Sequence, residues 1–157
     1  MDYIEIKVPT KPDYIGVIRL TLSGIANRMG YTFEEIEDIK IAVSEACTNA
    51  IQHAYSEDEV GEVIIGFGIY EDKLELMVAD SGKSFDFIQT KKELGPYTES
   101  STVDQLEEGG LGLYLIEALM DEVRVLDYTG GVTVFMVKHL SRERENHDTT
   151  ISNRETN

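Results

Sequence analysis

Apolar residues change their spacing several times along this chain, and the order of these changes restricts the fold. Period-two alternation predicts five strands, at residues 2–8, 61–69, 73–79, 122–128 and 132–140. Spacings of three and four predict three helices, at about 13–28, 32–55 and 114–120. Helices and hairpins in this order predict a two-layer α/β sandwich, with helices on one face of a mixed, mostly antiparallel sheet. A doubly wound parallel sheet would require regular strand-helix alternation, which this sequence does not have.

The second helix has a defined start and two distinct faces. Thr32 followed three residues later by Glu35 is a capping box. Glu45, Asn49 and His53, spaced by four, form a polar row that faces away from the core. A separate stripe, predicted to be buried, contains Ile36, Ile39, Val43, Ala46, Ala50 and Ala54.

Residues 81–108 differ from the rest of the chain. They show little sustained periodicity and form a longer connection than compact domains usually contain. Such a loop is either functional or disordered, and a lid is the functional option. Residues 141–157 are polar and are expected to form a mobile tail. The sequence therefore predicts one domain, residues 1–140, followed by this tail.

The charge balance excludes several classes of partner. Fourteen basic and thirty acidic side chains give a formal net charge of −16, and no basic patch exists to neutralise phosphates. Neither nucleic acid nor an anionic membrane surface is expected to bind directly. No apolar run approaches the ~20 residues of a spanning helix, and the N-terminus lacks the order of a signal peptide. With a single cysteine, Cys47, a cytoplasmic location is expected.

Three short segments carry residues suited to nucleotide chemistry: EACTN at 45–49, DSG at 80–82 and GGLGL at 109–113. Taken singly, they are typical of a solvated helix face, a turn and a loop that leads into a helix. Together they supply what a nucleotide site needs, because glycines let backbone amides approach phosphates and a helix N-terminus favours anions. The Asn49 amide oxygen suits Mg²⁺, and Glu45 lies one turn away, where it can act as a base.

These segments, in this order and at these separations, resemble the N, G1 and G2 boxes of the GHKL ATPase superfamily, whose ATP site is the Bergerat fold. The run SEACTNAIQHAY, with IRLTLSG before it and GGLGLYLIEALMDEVRV after it, is similar to the anti-sigma-factor serine kinases of Gram-positive bacteria. The resemblance covers about residues 1–140. Ser84 stands where the wider superfamily has a second G1-box glycine.

The resemblance implies a role for each matching residue. Glu45 is the expected general base and Asn49 the expected Mg²⁺ ligand, with residues 82–108 as the ATP lid. The expected nucleotide-binding residues are Asn49, Asp80 and Gly82 at the adenine turn, Gly110 and Gly112 at the phosphates, and Thr133 near the adenine.

The resemblance also implies partners. The expected activity is phosphorylation of a serine on an anti-anti-sigma protein with Mg-ATP, by a homodimer that also sequesters an alternative stress-response sigma factor. The first helix, around Arg19, is expected to face the sigma factor and the dimer mate. The alternative is an ATP-dependent sigma-factor-binding module without kinase activity, which would carry the same boxes. A wider-superfamily ATP-hydrolysing machine and a plain interaction domain are less favoured.

Overall fold

The computed structural model describes residues 1–56, 61–80, 86–95, 110–128 and 131–141. The side chains of residues 53–56, 110–111 and 127–128 are not part of this description. The elements, in chain order, are β1 (Asp2–Pro9), a 3-10 turn (Pro12–Tyr14), α1 (Ile15–Met29), α2 (Phe33–Ser56), β2 (Glu62–Ile69), β3 (Lys73–Ala79), α3 (Phe87–Leu94), α4 (Gly110–Leu119), β4 (Glu122–Tyr128) and β5 (Gly131–His139).

The five strands form one sheet in the spatial order β1-β2-β3-β5-β4, and every neighbouring pair is antiparallel. In the two central pairings, Val78 lies opposite Ile65 on β2 and opposite Val134 on β5. The α/β fold expected from the hydrophobic pattern is thereby confirmed. The pairing of β3 with β5 places the C-terminal hairpin beside the middle of the sheet.

Helices α1, α2 and α4 cover one face of the sheet and enclose the main core. Alternation along the strands directs Leu76, Val78, Val134 and Met136 to this face. The fully buried side chains that meet them include Ile18 and Leu22 of α1, Ile39 and Val43 of α2, and Ile116 of α4. Of the stripe predicted for α2, Ile39, Val43, Ala46 and Ala50 are buried, Ile36 is partly buried, and the side chain of Ala54 lies outside the described residues.

The capping box fixes the start of α2. The hydroxyl of Thr32 accepts a hydrogen bond from the Glu35 backbone N–H at 3.3 Å, and the Glu35 carboxylate accepts from the Thr32 backbone N–H at 3.2 Å. Two N–H groups that lack partners within the helix are satisfied in this way. Helix α2 therefore begins where the sequence predicts.

Helix α3 lies inside the stretch that the sequence predicts to be a long loop. Its Phe87 is buried against the outer face of the sheet, in a recess above Gly66 and Gly68. A Cβ atom at Gly68 would lie 2.9 Å from the Phe87 ring, so the two glycines make room for it. The ring also packs 5.0 Å from Tyr3 and 6.4 Å from Phe135, measured between centroids.

Polar contacts hold the rest of α3 on this outer face. Lys91 donates to the buried carboxylate of Glu75 at 2.5 Å. Arg124 of β4 donates to the last carbonyl groups of the helix, those of Leu94 and Gly95. Because these contacts come from residues distant in sequence, the local hydrophobic pattern does not predict the helix. The part of the predicted lid that α3 occupies is thus a helix docked on the sheet.

Helix α4 also differs from the prediction, since it begins at Gly110 rather than at Tyr114. The glycine-rich stretch predicted to lead into the helix is itself part of the first turns. Burial of Leu113 between α4 and the core stabilises these turns despite the low helix propensity of glycine. None of the helices in the described ranges has the length and apolar composition that crossing a membrane requires.

Candidate functional site

Glu45 and Asn49 lie on the side of α2 that faces α4, and both are partly exposed. They meet α4 at Gly112. A Cβ atom at Gly112 would lie 3.2 Å from Oε2 of Glu45 and 3.4 Å from Nδ2 of Asn49. A side chain here would therefore crowd both polar groups. The structure brings together a carboxylate, an amide and a glycine from two of the three predicted segments.

The direction of α4 relative to α2 follows from two hydrogen bonds at the end of β5. The Tyr31 hydroxyl, just before α2, donates to the Lys138 carbonyl at 2.5 Å. The Lys138 ammonium group donates to the carbonyl of Leu119, the last residue of α4, at 2.7 Å. The start of α2 and the end of α4 thus lie near the same residue, so the two helices are antiparallel. The N-terminus of α4, with Gly110, consequently lies at the end of the helix pair nearer to Asn49.

Asp80 follows β3 directly and is only 4% exposed. Its Oδ1 accepts a hydrogen bond from the backbone N–H of Val132 at 3.0 Å. Gly131 lies against the same carboxylate, and a Cβ atom there would overlap it. Thr133 lies opposite Ala79 in the β3–β5 register and is equally buried. The predicted residues Asp80 and Thr133 are therefore neighbours at the beginning of β5.

The Asp80–Thr133 pair and the C-terminal end of α2 lie toward the same end of the sheet. Strand β3 ends at Ala79, opposite Ile64 near the start of β2 and opposite Thr133 near the start of β5. Helix α2 packs on β3 and β5, and its C-terminal end leads to the start of β2. Asp80 thus lies at the end of the central strand, at the end of the sheet toward which the C-terminus of α2 points. Asp80, the C-terminal half of α2 with Asn49, and the Gly110 end of α4 therefore lie toward the same end of the sheet.

The chemistry of this set fits an adenine nucleotide with Mg²⁺. A buried carboxylate held in one orientation suits an exocyclic amino group, which donates hydrogen bonds. An amide oxygen beside a helix N-terminus suits a hard cation and the phosphates that share it. Gly112 leaves open the space that a side chain would fill between the helices. Asn49 is the described residue that would ligate Mg²⁺.

Cys47, between these residues on α2, takes no part in this chemistry. It is fully buried, and burial raises the pKa of its thiol to about 12. A thiol that stays protonated is a poor nucleophile. Cys47 is therefore a packed residue of the core and not a nucleophile.

Three predicted features lie outside the described residues, and one feature of the site was not predicted. Gly82, the ends of the predicted lid and residues 142–157 lie outside the described residues. From the sequence, Gly131 is only a residue between the last two predicted strands, whereas the structure places it against Asp80 with a φ of 153°. A glycine at the start of a strand was its one signal, and that signal does not identify Asp80 as the neighbour.

Comparison with known proteins identifies the family of this chain. The family model for the histidine kinase-like ATPase domain matches residues 8–138. A serine-protein kinase RsbW from Bacillus subtilis (strain 168) is 69% identical over 99% of this chain and 97% of its own length. The protein of the same name from Oceanobacillus iheyensis is 57% identical over 94% of this chain and 92% of its own.

A solved structure gives the same fold at lower sequence similarity. The crystal structure of the RsbU and RsbW domains of Rv1364c from Mycobacterium tuberculosis matches with a TM-score of 0.64 and 22% identity. The match covers 90% of this chain and 33% of that one, so this chain spans about a third of the larger protein. Given the family match and the full-length similarity to the curated kinases, the chain belongs to the histidine kinase-like ATPase family, among the RsbW serine-protein kinases.

Proposed function

We propose that this serine-protein kinase binds Mg-ATP between α2, α4 and the Asp80 end of the sheet and phosphorylates a serine on an anti-anti-sigma protein. The same protein, a cytoplasmic homodimer, also binds and sequesters an alternative stress-response sigma factor. The observation that carries the catalytic part is the contact of Gly112 with both Glu45 and Asn49. The partners and the homodimer rest on the family resemblance of residues 1–140.

Each site residue has a defined task in this proposal. Asp80 accepts the hydrogen bond of the adenine amino group, with Gly82 and Thr133 beside it. Asn49 binds Mg²⁺, and the backbone amides at Gly110 and Gly112 approach the phosphates. When bound, Mg-ATP would supply the phosphoryl group, and its Mg²⁺ ion would offset the negative charge of the phosphates.

Glu45 acts on the acceptor rather than on the nucleotide. The Glu45 carboxylate lies one helical turn from Asn49. Its Oε2 atom accepts the proton of the acceptor's serine hydroxyl. General-base catalysis of this kind contributes typically 10²–10⁴-fold to the rate. A role as general base also agrees with the partial exposure of Glu45, because the acceptor must reach the side chain from solvent.

The lid assignment for residues 82–108 remains part of the proposal. Helix α3, which lies within that range, is docked on the sheet through Phe87 and Lys91. We therefore expect α3 to keep this position, on the face of the sheet opposite α2 and α4, whether or not nucleotide is bound, and to contact neither the nucleotide nor the acceptor. Hydrogen exchange of the α3 amides with and without Mg-ATP tests this expectation.

The kinase mechanism is tested by Glu45→Ala. Phosphorylation of the anti-anti-sigma protein is expected to fall by roughly 10²- to 10⁴-fold, while ATP binding changes little. The matched control is Glu37→Ala, two turns earlier on α2, where the carboxylate pairs with Lys40 at 3.0 Å and no role in catalysis is proposed. Unaltered turnover in Glu45→Ala would remove Glu45 from this role.

The alternative, a binding module that uses ATP only as a conformational ligand, is separated by the same assay. With labelled ATP, a kinase transfers label to the acceptor serine and a pure binder does not. The similarity to curated serine-protein kinases over the whole chain favours the kinase. Asn49→Ala is expected to raise the Mg²⁺ concentration needed for half-maximal ATP binding, and unchanged Mg²⁺ dependence would contradict its assignment as ligand.

A further inference from the structure

Two apolar side chains within about one helical turn of the contact between Glu45 and Gly112 are open to solvent. Ile41 precedes Glu45 by one turn on α2 and is 43% exposed. Leu115 follows Gly112 by three residues on α4 and is 41% exposed. Because α2 and α4 are antiparallel, both residues lie on the same side of the Glu45–Gly112 contact. We call this pair, Ile41 and Leu115, the apolar step.

The position of the apolar step relative to the nucleotide follows from the order of residues along α2. Asp80 lies at the end of the sheet toward which the C-terminus of α2 points. Of the two site residues on α2, Asn49 is nearer to that end than Glu45. Glu45 lies one turn farther away, and Ile41 lies another turn beyond it. A nucleotide with its adenine at Asp80 and its phosphates at Asn49 therefore extends toward the apolar step.

The chemistry of phosphoryl transfer then fixes the side from which the acceptor approaches. The attacking and leaving oxygens are roughly in line with the phosphorus between them. The leaving oxygen faces the adenine end, so the serine hydroxyl enters from the opposite end, beyond Glu45. The exposed apolar side chains next to Glu45 at that end are those of the apolar step.

We infer that Ile41 and Leu115 form the docking surface for the protein that carries the acceptor serine. This inference rests on the proposed roles of Asp80, Asn49 and Glu45. A kinase that acts on a protein has to hold a surface around the serine as well as the hydroxyl itself. Partly exposed aliphatic side chains beside the base suit a folded partner with an apolar patch next to its serine.

Steady-state kinetics with the anti-anti-sigma protein as acceptor test the inference. The variants are Ile41→Ser and Leu115→Ser, and the matched control is Ile88→Ser, at a side chain that is 57% exposed on α3 at the outer face of the sheet. Each of the first two is expected to raise the KM for the acceptor about tenfold, as interface anchors do. The kcat at saturating acceptor and the Kd for ATP should stay within twofold. The control should change neither.

A labelling experiment gives a second measurement that does not depend on turnover. Cys47 is the one cysteine of the sequence and is buried, so a thiol reagent modifies chiefly the introduced thiol of Ile41→Cys. The anti-anti-sigma protein, added without nucleotide or with ADP, is expected to slow this modification at least fivefold. The corresponding Ile88→Cys variant should be modified at the same rate with and without it.

The outcomes separate this inference from the proposed mechanism. If Glu45→Ala abolishes turnover, but Ile41→Ser and Leu115→Ser keep the parent's KM for the acceptor and the acceptor does not slow the labelling of Ile41→Cys, the docking surface is wrong and the mechanism stands. If Glu45→Ala keeps full turnover, but the two serine variants have a raised KM and the acceptor slows the labelling of Ile41→Cys, the docking surface stands and the assignment of Glu45 as the base is wrong. Equal effects of the serine substitutions at positions 41, 115 and 88 would also overturn the docking surface.

Discussion

Asp80 and Val132 are joined by a hydrogen bond across the end of the sheet, although they are 52 positions apart in the sequence. The backbone N–H of Val132 donates to Oδ1 of Asp80 at 3.0 Å. A backbone donor in a paired strand cannot rotate away, so it holds one carboxylate oxygen in place. The orientation of this buried carboxylate is therefore determined by β5 as well as by β3.

Asp80→Asn should weaken ATP binding for this reason. The Val132 N–H needs an acceptor, so the amide oxygen is expected to turn toward it and the NH₂ group toward the adenine amino group. Two donors would then face each other, and the Kd for ATP should rise about tenfold or more, which corresponds to ~1.4 kcal/mol. Titration calorimetry measures the change.

The control for this substitution is Asp86→Asn. Asp86 caps α3 by accepting from the Gln89 backbone N–H at 3.0 Å, and asparagine is an equally good N-cap. This variant should bind ATP as the parent does. If both variants bind with the parent's affinity, Asp80 does not contact the adenine.

Local signals in the sequence predicted the elements that depend on local contacts. The capping box places the start of α2 correctly because Thr32 and Glu35 satisfy each other within one turn. The spacing of four also placed Glu45 and Asn49 on one row of α2, which the structure shows meeting Gly112.

Features that depend on distant contacts were not predictable in the same way. Helix α3 has eight residues, and Phe87 is the one that is buried, so it is too short to show a sustained hydrophobic period. Its position depends on the recess above Gly66 and Gly68 and on the carboxylate of Glu75. The packing of Gly131 against Asp80 likewise requires knowledge of the β3–β5 pairing.

Thr32→Ala should lower the free energy of unfolding by about 1 kcal/mol, because it removes one half of the capping box. Thermal unfolding should show this as a decrease in Tm of a few degrees. Thr21→Ala is the matched control, since the Thr21 hydroxyl donates to the Val17 carbonyl within α1 and caps nothing. A decrease of equal size in both variants would contradict a specific role for the cap.

Lys91→Met should destabilise the protein by removing the hydrogen bond to the buried Glu75 carboxylate. The expected loss is about 1–3 kcal/mol, since Lys73 remains 3.9 Å from Glu75 and compensates in part. Chemical denaturation measures it. Lys7→Met, which removes an exposed pair with Glu5 at 4.0 Å, should cost less than about 0.5 kcal/mol. Equal effects of the two substitutions would contradict the anchoring of α3 by Lys91.

The pH dependence of the Lys91 contribution has a definite sign. Burial alone would lower the pKa of Lys91, but the hydrogen bonds to Glu75 and Tyr70 outweigh it and the pKa is raised. The stabilisation is therefore fully present below the pKa of an unfolded lysine, about 10.4, and is lost as the pH rises through the folded value. The difference between the parent and Lys91→Met should be constant from about pH 6 to 9 and shrink at higher pH. A difference that shrinks between pH 6 and 9 would contradict this assignment.

Gly131→Ala and Gly24→Ala are the same chemical change and should have opposite effects. Gly131 has a φ of 153°, which disfavours any residue with a Cβ, and the added atom would overlap the Asp80 carboxylate. The substitution should cost about 1–3 kcal/mol of stability and weaken ATP binding, because Asp80 has to move. Gly24 is exposed within α1, with nothing within 4 Å of an added Cβ, so alanine there should stabilise the protein by about 0.5–1 kcal/mol.

Denaturation and calorimetry on this pair separate backbone strain from the effect on the site. If Gly131→Ala loses stability but binds ATP with the parent's affinity, the position of the Asp80 carboxylate does not determine nucleotide affinity. If it keeps both, the close approach of Gly131 to Asp80 has no energetic consequence. A loss of affinity larger than that of Asp80→Asn would indicate that the β5 backbone itself, and not only the carboxylate, contacts the nucleotide.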